Sequence, residues 1–336
     1  MLLIVGALVV IGSVAGGYMM HGGVLEVLWQ PSELLIIGGA AFGSLLISTP
    51  MPLLMRMLGQ MKAFFTKGTG RDEYLELLGM QYQLYKLVQQ SGVMSLEAHF
   101  EDPHKSAVLS KYPGFLARHH ALDFLADSVK VIIIGGISPH DLEALMDGDI
   151  EIHHEEGLKP AATLTKVGDA MPGMGIVAAV LGVVITMGAI DGPPSEIGHK
   201  VAAALAKVGD ALPGLGIVAA VLGVVITMGA IDGPPSEIGH KVGAALVGTF
   251  LGILMCYGFV GPMGTYLEHV VSDEGHYTKC LKTGLLSVYK GFPPAIAVEF
   301  ARRVLPHEVR PTFEETEQYC KGTKAAAPAD GQAQAA

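Results

Sequence analysis

Charge is scarce in this chain, and the scarcity comes in blocks. Only 16% of its 336 residues are Asp, Glu, Lys or Arg, against about 25% in an ordinary soluble domain. None occurs in 1–25, 34–55, 170–190, 211–231 or 242–267. Each window is near or above the roughly 20 apolar residues that cross a bilayer core as a helix. A soluble globular protein is thereby excluded and a polytopic membrane protein predicted. No Lys or Arg precedes Arg56. Without a positive n-region the first window does not read as a cleaved signal peptide, and it is expected to remain as an anchor. The three cysteines (Cys256, Cys280, Cys320) lack paired or metal-type spacing, which argues against a disulfide framework. A net charge of −10 offers no basic surface to nucleic acid. No phosphate loop, nucleophile motif or metal signature is present, so no enzyme and no cofactor are read.

The segments between the windows have ordinary composition. A first span is expected over about Leu2–Met20, and a second from near Glu33 to about Leu54. The connection His21–Pro31 has no Lys or Arg, whereas Arg56, Lys62, Lys67 and Arg71 follow the second span. Such enrichment marks the cytoplasmic side, so the connection is predicted outside and the N-terminus inside. Residues 56–165 form a polar insert with helical stripes. Leu75, Leu77, Leu78, Tyr82, Leu84, Tyr85 and Leu87 make one of them. Ala121–Ile134 and Pro139–Ile152 look similar, separated by Gly135-Gly136. The tail after Glu268 carries Lys279, Lys282, Lys290, Arg302 and Arg303 and is placed in the cytoplasm by the same rule. Its Ala-rich end, 323–336, has no core-forming pattern and is expected to be disordered.

Residues 166–205 recur as 207–246, with differences only at Met171/Leu212, Met174/Leu215 and Ala202/Gly243. Solenoid repeats keep a sparse consensus over three or more copies. Two nearly identical copies instead indicate a recent tandem duplication. It creates a parity problem, because five crossings would put the basic tail outside, against the charge rule. One copy is therefore expected not to cross fully.

The windows contain no carboxylate, Lys, Arg or His at their centres. Intramembrane ionisable groups are the usual mark of an ion pathway. An ion route through this chain would then take its titrating group from another polypeptide. The windows do hold proline, small residues and threonine. Pro172 and its copy Pro213 open the third span, and Pro262 lies near the end of the last. Each either kinks a helix interior or sits in a first turn. Gly175, Ala178, Ala179 and Gly182 permit close helix packing. Thr186, Thr227 and Thr249 either bond back to their own helix or offer oxygens to an ion. His119-His120 and His153-His154 are adjacent and do not share a helix face, a poor spacing for metal ligation.

The string "GIVAAVLGVVITMGAIDGPPSEIGHKVGAALVGTFLGIL", with "YGFVGPM" after it, resembles the last two spans of the MotA family of flagellar stator proteins. "GGYMMHGGVLEVLWQPSELLIIGGAAFGS" is similar to the first two. "SGVMSLEAHFEDP", Tyr112-Pro113, "LEALMDGDIE" and "PPAIAVEFARRVL" resemble the cytoplasmic segments. The resemblance covers nearly the whole chain once one copy is removed.

It implies an all-α polytopic membrane protein with four family-type transmembrane helices plus one duplicated hydrophobic segment and a helical cytoplasmic domain. The implied division is 1–55 for spans one and two, and 56–165 for the rotor-facing domain. The first copy is 166–206, and the second copy with the last span is 207–268. A helical tail covers 269–322. The resemblance further implies a homo-pentamer around a MotB dimer in the bacterial inner membrane, both termini cytoplasmic. MotB would bring the ion-binding aspartate and the peptidoglycan anchor. The family's two functional prolines correspond to Pro172 (or Pro213) and Pro262, and Thr249 to a pore-facing threonine. Ala179 and Ala220 stand where sodium-driven relatives carry threonine, which favours protons. Contact with the rotor protein FliG falls on Glu97 and Asp149; Gln89 stands where the family has a basic residue. Exposed charges of this kind also occur as plain solvated faces. Two alternatives are an ExbB/TolQ-like energy-transducing channel subunit and a stator variant impaired by the duplication.

Overall fold

The structure is a computed structural model that describes residues 2–23, 25–29, 31–65, 68–187 and 247–322. The second repeat copy, with Pro213, Ala220 and Thr227, and the tail 323–336 lie outside the described residues. Among the described residues every regular element is helical. They are α1 (Leu2–Met20), α2 (Leu25–Leu28), α3 (Pro31–Ser48), α4 (Met51–Gln60), α5 (Arg71–Ser91), α6 (Glu97–Glu101), α7 (Pro113–Leu116), α8 (His119–Ile134) and α9 (Pro139–Met187). After them come α10 (Val247–Tyr289), α11 (Pro294–Arg303) and α12 (Phe313–Cys320). The chain divides into two compact units, residues 1–66 with 158–268 and residues 67–157 with 269–336.

In the first unit α1 is apolar on every face. None of Leu3–Met20 is buried, and Ile4, Leu8 and Val9 are all more than half exposed. A helix apolar all round belongs in lipid or against other apolar chains. Two helices among the described residues, Leu3–Met20 and Val247–Tyr289, are long and apolar enough to cross a membrane.

The expected second span, Glu33 to Leu54, is not one helix. It ends at Ser48, and α4 starts after Pro50, whose backbone is extended (φ −59, ψ 145). Proline has no N–H to give the preceding turn and pushes the residue before it out of the helical region. The apolar helix left is Leu34–Ser48, about 22 Å at the helical rise.

The second unit buries the stripes read from the sequence. Tyr74, Leu77, Leu78, Leu84 and Tyr85 of α5 pack with Leu122, Leu125 and Val129 of α8. Leu142, Met146 and Ile150 of α9, four residues apart, join them with Leu281 and Leu285 of α10 and Ala297 and Ala301 of α11. Leu75, Tyr82 and Leu87 sit only half-buried at the margin of the stripe. Gly135 and Gly136, both at positive φ, divide α8 from α9, because L residues rarely adopt that region. At α12 the Glu315 N–H donates to Thr312 Oγ1 (3.2 Å) and the Thr312 N–H donates to Glu315 Oε2 (2.7 Å), a reciprocal cap. All three cysteines are buried and free.

Candidate functional site, a proline-marked helix crossing

Both predicted prolines within the described residues lie inside long helices. Pro172 is buried and more than thirty residues into α9. Of the two positions proline tolerates, it takes the interior one, and the carbonyl of Gly168 loses its donor four residues on. Pro262 lies in α10, two residues beyond a π turn over Cys256–Val260. In a regular α-helix its ring would collide with the Gly258 carbonyl. The helix widens instead, and the Gly261 N–H donates to Cys256 O, five residues back. Single widened turns of this kind concentrate at functional sites.

The two helices cross where each carries glycine. A Cβ on Gly168 would lie 3.0 Å from Val260 Cγ1 and 3.5 Å from Gly261 N. One on Gly264 would overlap Thr165 Oγ1 and lie 3.5 Å from Ala161 O, and one on Gly258 would lie 3.1 Å from Val10 Cγ1 of α1. Backbones come this close only where side chains are absent. Ile37 and Ala41 of α3, Met171 of α9 and Cys256 of α10 close one buried cluster around the crossing. Reading the residues as a linear string missed these glycines as a set, although the signal was present. Gly168 and Gly258 each stand four residues before a proline, the position whose carbonyl the proline disturbs.

Thr249 lies on α10, seven residues or two turns before Cys256, and so on the same face. It is only 8% exposed, and its Oγ1 has no hydrogen-bond partner among the described residues. The contrast with Thr165, which donates to Ala161 O at 3.1 Å, separates the two readings of a membrane threonine. Thr165 bonds back to its own helix, whereas Thr249 makes no such bond among the described residues. Among the described residues no charged side chain is buried, and Asp169, beside Gly168, points to an exposed face. Thr186 and Ala179 lie on the backbone of α9.

The three residues assigned to a rotor contact all fall in the second unit and all are exposed: Gln89 near the end of α5, Glu97 in the first turn of α6, Asp149 on α9. Neither Glu97 nor Asp149 makes an ion pair among the described residues. The acidic run around Asp149 is partly taken up from within. Lys282 Nζ lies 2.7 Å from Asp147 Oδ1, and Lys290 Nζ 3.2 Å from Glu143 Oε2.

Residues 4–92 match the motility protein A N-terminal family. Residues 117–208, and again 203–279, match the MotA/TolQ/ExbB proton channel family. Motility protein A of Escherichia coli K12 is 37% identical over 325 residues, which cover 96% of each chain. The Salmonella typhimurium protein of the same name is 36% identical at the same coverage. This chain belongs to the motility protein A family. Chemotaxis protein LafT of Vibrio parahaemolyticus is 32% identical over 94% of this chain and 96% of its own. The motility protein A fold is also that of a solved structure of C. jejuni MotAB (TM-score 0.63, 17% identity). The match covers 91% of this chain and 96% of that one. The MotAB stator complex of Bacillus subtilis matches at TM-score 0.60 and 20% identity over the same shares. The second proton-channel match opens at residue 203, near the end of the first repeat copy.

Proposed function

We propose that this motility protein A chain is the membrane-embedded subunit of a flagellar stator that forms an ion channel with MotB and turns ion flow into torque. One observation carries the channel assignment. The buried, unpartnered hydroxyl of Thr249 lies on the face of α10 that packs at the π turn, in a unit without any buried charge among its described residues. A pathway walled by such a surface offers oxygens but no proton-binding group, and that group is the aspartate of MotB. Related solved structures are of MotAB complexes. The rest of the family arrangement follows: a homo-pentamer around a MotB dimer, four family-type spans in the inner membrane, N- and C-termini in the cytoplasm, protons as the coupling ion and no cofactor. Pro172 and Pro262 would let α9 and α10 rearrange at their crossing as the ion passes. Glu97, Gln89 and Asp149 would face FliG. The chain acts as a transducer and not as an enzyme.

The test is motility of a stator-deleted cell supplied with this chain and its MotB, each alone and together. Rotation only with both supports the reading; proton conduction by this chain alone overturns it. The duplicated third segment motivates a second arm. An added span is costly in a close-packed ring and inverts the side of every later loop. A chain lacking residues 166–206 should therefore swim at least as well as the full one. If only the shortened chain swims, the duplication impairs the stator.

A further inference from the structure

Two histidines far apart in the sequence meet face to face in the second unit. His120, in the first turn of α8, and His153, on α9, stack with ring centroids 3.3 Å apart and planes 9° from parallel. His120 Nε2 is buried and has no hydrogen-bond partner among the described residues. Charged and titratable groups from the packed elements surround the pair. Arg118 stands just before α8, Asp123 lies on α8, and Asp149 lies on α9. Glu274 of α10 has its Oε2 4.0 Å from His153 Nε2. His154, next on α9, approaches α10 at Gly275, where a Cβ would lie 3.8 Å from its Nδ1.

We infer that the His120–His153 stack is a proton-binding latch, and that a proton taken up at low pH opens the contact between α8 and α9. Two neutral imidazoles stack without electrostatic cost, but two cations at 3.3 Å repel strongly. A protonated His120 in place would also present a buried N–H with no acceptor, an expensive state. The ring must therefore leave the stack to hold its proton. Burial, followed by the neighbouring His153, holds His120 below its ordinary 6.5, against the pull of Asp149, Glu274 and Asp123. A histidine with a depressed folded pKa stabilises its contact above the ordinary value and loses that stabilisation as pH falls below it. The latch is closed near neutrality and opens in acid. His153 and Pro172 lie on one continuous helix, α9. The inference does not depend on the ion-channel assignment.

Hydrogen exchange of the full chain purified in detergent tests it, at about pH 7.5 and about pH 5.5, either side of the ordinary histidine value. After correction for intrinsic exchange, peptides from residues 119–134 and 139–157 should lose protection in acid, by up to about tenfold per pH unit for one linked proton. The double variant His120→Phe with His153→Phe keeps two stacked rings that cannot titrate, and should hold its protection at both pH values. Should that variant lose neutral-pH protection, Glu274→Gln decides. Removing the carboxylate beside the stack depresses the closed-state histidine further and should enlarge the loss of protection in acid relative to wild type. A wild type without the transition overturns the latch. So does a double-Phe variant that keeps the transition, or an acid loss in Glu274→Gln no larger than that of wild type.

Discussion

Replacing Gly261 with alanine separates the geometry of the crossing from ordinary helix stability. In a regular exposed helix Gly→Ala stabilises by about 0.8–1 kcal/mol. At Gly261 the new methyl would sit 3.0 Å from the carbonyl oxygen of Cys256, a backbone atom that cannot swing aside. Overpacking of this kind costs about 1–3 kcal/mol, so the net loss should be small, about 0–2 kcal/mol. The easiest relief is to close the π turn into an α turn, which rotates the segment before it by about 100°. That rotation turns Thr249 and Cys256 together relative to the glycines and Pro262 that follow the turn. Gly261→Ala should therefore lower the melting temperature of the purified chain by no more than about 4 °C, while removing most of the torque of tethered stator-deleted cells that express it with MotB. Gly148→Ala is the control. Nothing lies within 4 Å of its added Cβ, so it should melt slightly higher and turn the motor normally. A Gly261→Ala chain with a raised melting temperature and full torque would refute the claim that the crossing needs its widened turn.

Thr249→Val removes a buried hydroxyl that has no partner among the described residues. Deleting such a group is neutral or stabilising for packing, so melting should hold or rise while rotation falls; wild-type rotation would dismiss the hydroxyl from the pathway. Lys282 is 14% exposed on its side chain and lies 2.7 Å from Asp147. A double-mutant cycle with Lys282→Met and Asp147→Asn should return about 0.5–1 kcal/mol of coupling, and zero coupling would make the bridge incidental. Glu299 accepts from Arg302 Nε and from Arg303 Nε, each at 2.7 Å, and the Arg302 hydrogen bond leads in holding its carboxyl below the ordinary 4.5. That stabilisation is complete above the ordinary value and fades as pH falls through the depressed one. The melting-temperature difference between wild type and Glu299→Gln should thus shrink on going from about pH 6 to about pH 3. A constant difference would mean that the pair does not form.

Much of the architecture was readable because burial writes itself into periodicity. Leu142, Met146 and Ile150 recur every fourth residue and all face the core. Gly135-Gly136 marks the end of α8, since both residues need positive φ. Composition misled in one place. The apolar window 34–55 looks uniform, yet Pro50 sits within it and ends the hydrogen-bond ladder of α3 after Ser48; hydropathy does not register a missing N–H. The change from polar to apolar at residue 166 falls within α9, which passes through it unbroken to Met187. A helix satisfies its own backbone whatever solvates its side chains. The His120–His153 stack left no trace in one dimension, because two residues on different helices meet only through the packing of both.

The stator reading rests on two observations that are physically independent. The first is an absence, a first unit with no buried charge among its described residues, and the second a presence, a buried threonine oxygen without a partner among them. Each alone is ordinary, since many membrane helices lack charge and a single open hydroxyl costs about 1–3 kcal/mol, which a large fold tolerates. Together they define, among the described residues, a surface that can accept hydrogen bonds and carries no buried ionisable group. In the proposed channel the polar counterpart would be an acid on a second helix. The glycines at the crossing explain why that surface stays in register. Gly168 and Gly261 bring α9 and α10 to backbone contact at the level where each helix is interrupted by its proline. In the proposed channel, motion driven at that acid would be absorbed most easily where the backbone ladder is already open.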